Sequence, residues 1–200
     1  MRAGKVVVFL CFAALLALGV AIHRDYGLAF DEVAQRTTGT VAVKYVIDLF
    51  AGRQGLSAMN DYVDRDYGVA FEAPAVALEM LFGLSDSRDI FMFRHLLTFL
   101  VCLAGAWALY SLALRRFADR WLALLTVAFL MLTPRLFAES FYNSKDAVFM
   151  AAFAIALNTG VAFILRPTAR TALLHGLATA FASTSLSSAR AGMQMSLQTA

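Results

Sequence analysis

Four apolar runs, Val6 to Ile22, Ile90 to Leu114, Trp121 to Thr133 and Ala147 to Leu165, are separated by stretches that carry nearly all the charge of the chain. A helix needs about 20 mostly apolar residues to cross ~30 Å of hydrocarbon. Lipid offers no partner for backbone N–H and C=O groups, so runs of this kind must be helical. Composition agrees, with 60% of the 200 residues hydrophobic and only 16% charged. The expected fold is therefore all-α: a polytopic membrane protein with four to five spans near 6–22, 90–114, 121–134, 147–165 and a partial one at 171–182. A membrane-embedded chain has lipids as its first partner. Residues 183–200 read as an atypical polar tail, and nothing calls for a second domain within 1–182.

Charge placement predicts the orientation. Arg2 and Lys5, then Arg115, Arg116 and Arg120, then Arg166 and Arg170 fall in three short segments, whereas the short segment from Arg135 to Asp146 holds only Arg135 and Lys145 as basic residues. Lys and Arg in short loops mark the cytoplasmic side. The long segment 23–89 lacks that bias, since residues 23–94 carry seven basic and eleven acidic side chains. The N-terminus is thus expected inside and the 23–89 loop outside. A cleaved signal peptide ending near Gly19-Val20-Ala21 is the other reading of the first run, and it exports the same loop.

Within the loop, Ala34, Thr38, Val41, Tyr45 and Leu49 recur at helical spacing, which predicts a helix lying on the membrane surface and ended by Gly52 and Gly55. Pro74 suits the first turn of a second helix carrying Ala75 to Leu84, and Glu79 argues against a lipid-facing span there. Near the C-terminus, Leu173 to Ala182 is too short to span, and Ser183-Thr184-Ser185 breaks the apolar pattern. That change of character is expected of a fragment, of a reading frame that departs near residue 182, or of a re-entrant helix followed by a tail. Cys11 and Cys102 both lie in apolar runs and read as small core residues.

The candidate chemistry lies in two polar clusters that the topology brings to one face. Asp31-Glu32 follows the first span, and on a helix its two carboxylates point about 100° apart, so they take different partners. One suits a general base on a hydroxyl and the other a positioning role. The plainer alternative is an N-cap and a first-turn acid. The second cluster, Phe141-Tyr142-Asn143-Ser144-Lys145-Asp146, opens a span. There Ser144 or Asp146 can cap, Lys145 can meet a phosphate, and Asp146 can hold a divalent metal such as Mg or Mn. Asp64-Arg65-Asp66 is a weaker metal candidate that fits a turn equally well. Arg94-His95 stands at a membrane boundary, within reach of a lipid phosphate or of helix-end hydrogen bonds. Tyr67-Gly68 and Glu72 suit an acceptor cleft. His23 and His175 lack ligand-like spacing, and the chain has no nucleophile motif, phosphate-binding glycine loop or nucleic-acid patch.

In that order, Asp31-Glu32, Tyr67-Gly68, Arg94-His95, Pro134-Arg135 and Phe141 to Asp146 resemble the N-terminal part of bacterial multispanning glycosyltransferases of the protein O-mannosyltransferase type, the family 39 and GT-C group. The resemblance covers about residues 5 to 180. It implies location in the bacterial inner membrane, a polyprenyl-phosphate sugar donor, usually inverting transfer at the outer face, and a protein, lipid or glycan acceptor. It further implies Asp31 as catalytic base, Glu32 as its positioning partner, and Asn143, Lys145, Asp146, Arg94, His95 and Tyr67 around the substrates. Members of that group have many more spans. A non-catalytic membrane subunit, or an inactive truncated product whose loop binds a partner, is the competing expectation. A transporter is disfavoured because the charges lie at the boundary and not at mid-bilayer.

Overall fold

The computed structural model describes residues 2–53, 62–64 and 67–185. Among them the secondary structure is wholly helical: α1 Arg2–Ile22, α2 Glu32–Phe50, α3 Glu72–Leu81, α4 Ser87–Phe117, α5 Arg120–Met131, α6 Pro134–Tyr142, α7 Asp146–Leu165 and α8 Ala169–Ser185. Three of these are long and apolar enough to cross a membrane, in α1, α4 and α7. Helices α5 and α6 qualify only as a pair, bent by 69°. The chain is an all-α, multi-pass membrane protein.

Helix α4 is the post around which the others stand. Its 31 residues extend about 46 Å at 1.5 Å per residue, well beyond a ~30 Å hydrocarbon layer. Asp86 starts it, accepting from the Arg88 and Asp89 amides. Ala118 ends it in the left-handed region at φ 54°. Asp119 then caps α5 through the Trp121 and Leu122 amides, so the reversal between α4 and α5 is tight.

Small residues let the helices close up. A Cβ on Gly105 would lie 2.6 Å from both Cα and Cβ of Ala151, so α4 and α7 cross almost backbone to backbone. Gly19 of α1 receives the ring of Phe99 in the same way. An apolar core of Val8, Ala106, Tyr110, Ala113, Ala123, Val127 and Met131 joins α1, α4 and α5 toward the other end. There Gly4 lies against Arg120, which gathers the N-terminus and the α4–α5 turn at one end. The two polar clusters meet at the opposite end.

Several expectations are corrected. The helix expected after the first span is present as α2, and of its stripe Thr38 is buried, Val41 and Tyr45 are half-buried and Ala34 and Leu49 are exposed; the side packed on protein instead carries Glu32, Gln35, Thr38, Gly39 and Ala42. Its inner face is small and polar because it meets charged groups of α3 and α4. Helix α2 ends at Phe50 with Gly52 at φ 67°, and Gly55 lies outside the described residues. Helix α3 has Pro74 in its first turn as expected, beginning at Glu72, and ends at Leu81 and not Leu84. The first turn of a helix has no intrahelical acceptor to offer its N–H groups, so proline fits there as well as at the first position. The segment from Arg135 is not an open connection but helix α6, started by Pro134 and packed through Phe137 and Phe141 on Phe99. Ser183, Thr184 and Ser185 continue α8, and each hydroxyl donates to a carbonyl three or four residues back. Residues 186–200 of the expected tail lie outside the described residues. Cys102 is buried but Cys11 is exposed on α1.

Candidate functional site

Two adjacent carboxylates at the start of α2 have separate environments. Glu32 folds back over the chain: its Oε2 accepts from the Ala29 amide at 2.7 Å, and its Oε1 lies 2.8 Å from His95 Nε2. His95 is fully buried, and its Nδ1 faces the His23 carbonyl at 3.3 Å. Both ring nitrogens therefore face oxygens, so whichever nitrogen carries a proton has an acceptor in place. This bond pins the start of α2 to α4 and to the end of α1. Asp31 occupies the N-cap position yet makes no side-chain cap bond, and its exposed carboxylate faces a cleft.

Behind the cleft runs a second buried chain of charges. Arg94 donates Nη1 to Glu79 Oε1 at 2.8 Å and Nη2 to Glu72 Oε2. Arg36 Nε donates to the other oxygen of Glu79 at 2.9 Å, and Ser144 Oγ donates to Glu72 Oε1 at 2.6 Å. The order Arg36, Glu79, Arg94, Glu72, Ser144 ties α2, α3 and α4 to the residue before Lys145. Among the described residues, every fully buried side-chain N or O has a partner. Breaking one member of such a buried ion pair costs roughly 3–5 kcal/mol, because the other charge is left uncompensated. Burial pushes the Glu79 carboxyl above its ordinary value, against the hydrogen bond and charge of Arg36, which pull it down. Gly39 completes the arrangement: a Cβ there would lie 2.6 Å from the Glu72 carbonyl oxygen, so α2 and α3 are in backbone contact at the root of Glu72.

Ser144 hands the chain on to Lys145, whose ammonium sits 4.7 Å from the centroid of the Tyr67 ring. Among the described residues Lys145 has no carboxylate in ion-pair distance, and the ring face offers the cation a modest attraction. Asn143 caps α7, its Oδ1 accepting from the Asp146 amide at 2.8 Å while its Nδ2 donates to Asp146 Oδ2 at 3.5 Å. The cap expected of Ser144 or Asp146 thus falls to Asn143, because Ser144 is engaged by Glu72.

Three adjoining cavities form the cleft, and Gln35 and Lys145 line all of them. One of about 180 Å³ lies between Asp31, Glu32, Tyr142, Asn143 and Ser144. A second of about 160 Å³ adds Thr38, Asp64 and Tyr67. A crevice of about 10 Å³ reaches toward Gly68, Glu72 and Ser185. Of the residues singled out in the sequence, Asp31, Glu32, Asn143, Lys145 and Tyr67 are brought together here. Arg94 and His95 are not at the surface of the cleft: at 2% and 0% exposure they serve as internal partners of carboxylates. Asp146 lines none of these cavities. Among the described residues no three His, Cys, Asp or Glu side chains gather as metal ligands. Residues 65 and 66 of the Asp64-Arg65-Asp66 candidate lie outside the described residues. Gln35 and Arg36 are the site and support residues that sequence reasoning passed over, whereas Glu79 was singled out only as unsuited to lipid. Apolar periodicity sets Gln35 and Arg36 off the stripe of α2 and so hides their contacts.

The fold and this polar end define the chain as a multi-pass helical membrane protein with a polar cleft at one end of its helices. In comparisons with known proteins it matches no family model, no curated protein and no solved structure.

Proposed function

We propose that this chain serves glycosyl transfer, moving a sugar from a polyprenyl-phosphate donor to a hydroxyl acceptor at the outer face of a bacterial inner membrane, with its N-terminus in the cytoplasm. One observation carries the reading: Glu32 is locked onto His95 while Asp31 is left without a cap bond, facing a cleft that it shares with the ammonium of Lys145. The division fits a base held beside an anion site.

In this reading Asp31 accepts the proton of the acceptor hydroxyl as its oxygen attacks the anomeric carbon. The bond from that carbon to the phosphate oxygen breaks, and polyprenyl phosphate leaves with the electron pair. Lys145 stabilises the charge that develops on the leaving phosphate. Glu32, His95, Arg94 and Glu72 touch neither substrate and act as positioning residues. The reaction balances without a redox partner.

The experiment uses the full chain in nanodiscs, a panel of polyprenyl-phosphate hexoses and pentoses, and peptide, lipid and glycan acceptors. Release of polyprenyl phosphate by the wild type, lost in Asp31→Asn, supports the reading. Release that is equal in wild type and Asp31→Asn, or absent with every donor, overturns it. A second reading, a non-catalytic membrane subunit, draws on Phe30 in the wall of the cleft, which is 99% exposed. A chain that releases nothing yet co-purifies with a membrane glycosyltransferase supports that alternative.

A further inference from the structure

Gln35 combines properties that a purely structural side chain rarely has. It is 8% exposed, yet among the described residues its carboxamide makes no hydrogen bond. Since every fully buried side-chain N or O there has a partner, the carboxamide atoms are the part of Gln35 that opens into the cleft. Its backbone amide donates to the Asp31 carbonyl at 2.9 Å, which sets Gln35 one helical turn beyond Asp31 on the same side of α2. All three cavities have it in their walls, always together with Lys145.

Because the carboxamide atoms open into the cleft, a group that enters it can bond to them in place of water. The chemistry of the group follows from the amide. A phosphate oxygen only accepts, and would use the NH2 half of Gln35 alone; Lys145 already supplies the stronger attraction for it. A carboxamide presents two donors and an acceptor in one plane. Adjacent hydroxyls, each donor and acceptor, satisfy both halves at once and carry no charge to conflict with Asp31 or Asp64 in the same walls.

We propose that Gln35 is the sugar-reading residue of the cleft, bonding two neighbouring hydroxyls of the donor's sugar ring while Lys145 holds its phosphate. This rests on the glycosyl-transfer reading and deepens it, by assigning discrimination of the sugar to an uncharged side chain on α2. A site built to bond a hydroxyl rejects a ligand that lacks it, because its own polar group is then left unpaired.

The test measures binding, not turnover. The full chain in nanodiscs is titrated with bare polyprenyl phosphate and with polyprenyl-phosphate hexoses and pentoses, for wild type, Gln35→Met and Gln35→Ala. Gln35→Met keeps the volume of the side chain and guards against collapse of the wall. The expected result is a wild-type preference for at least one glycosylated lipid over the bare one, reduced about ten-fold in both variants with affinity for the bare lipid unchanged. A preference that survives in both variants overturns the role of Gln35 and leaves glycosyl transfer standing. A wild type that binds glycosylated and bare lipids alike, or neither, overturns the donor assignment and the role of Gln35 with it.

Discussion

Glu32 and His95 are 63 positions apart in the chain and 2.8 Å apart in space, and this bond decides which of two neighbouring acids is left to face the cleft. Had Glu32 been the unbound one, α2 would have no tie to α4 at its first turn. The stability of the site and its reactivity are thereby placed on different residues, and they separate under mutation.

Asp31→Asn is expected to leave stability within about 0.5 kcal/mol, as for an exposed residue without a specific partner. Transfer activity should fall by roughly 10²–10⁴, the usual contribution of a general base. Glu32→Ala should lower stability by about 1–3 kcal/mol, because His95 then keeps a buried, unpaired nitrogen. Thermal unfolding in detergent, set beside the transfer assay, separates the two.

Glu72 joins Arg94 to Ser144, so Glu72→Ala is expected to cost roughly 3–5 kcal/mol. Ser144→Ala removes one hydrogen bond from the same carboxylate and should cost only about 1 kcal/mol. Equal losses in denaturant titrations of the two variants would contradict the role of Glu72 as the junction.

Gly105→Ala places a methyl group 2.6 Å from the Ala151 backbone and is expected to cost about 1–3 kcal/mol through forced separation of α4 and α7. Gly27→Ala, which meets nothing within 4 Å, is the matched control and should be neutral within about 0.5 kcal/mol. Unfolding midpoints of the two variants test the crossing.

The raised pKa of Glu79 gives a pH dependence with a definite sign. Above its ordinary value of 4.5, the unfolded carboxyl has released its proton while the folded one still holds it. The folded state then binds more protons than the unfolded state, so this group's contribution to stability falls as pH rises through the folded pKa. Glu79→Gln should remove that slope while leaving the rest of the profile intact. A profile unchanged by the substitution would show that Glu79 does not titrate in that interval.

The spans were legible because lipid demands long apolar helices and leaves little else to choose. The convergence of Asp31 with Lys145 followed from counting arginines at the turns. The inner face of α2 was hidden for a physical reason: helical periodicity identifies the buried stripe by assuming that it is apolar, and here the stripe faces Glu72 and its neighbours. Arg94 and His95 were misplaced toward the substrate because a charge at the start of a span has two outlets, the head groups or an internal partner. Their partners, at positions 32, 72 and 79, lie too far along the chain for local pattern to reveal. The 69° break between α5 and α6 was marked by Pro134, but its direction depends on the seat that Phe99 provides for Phe137 and Phe141.

The length of α4 has a mechanical consequence. Twenty residues separate His95 from Arg115, about 30 Å of helix, which equals the thickness of the hydrocarbon layer. Around Arg94 and His95, α4 is enclosed by Glu32 of α2 and by Glu72 and Glu79 of α3, with Ser144, just before α7, bonded to Glu72. The medium around Arg94 is thus made of protein and not of lipid. Arg94 is therefore balanced by Glu72 and Glu79 inside the protein, whatever the thickness of the layer around the shaft of α4.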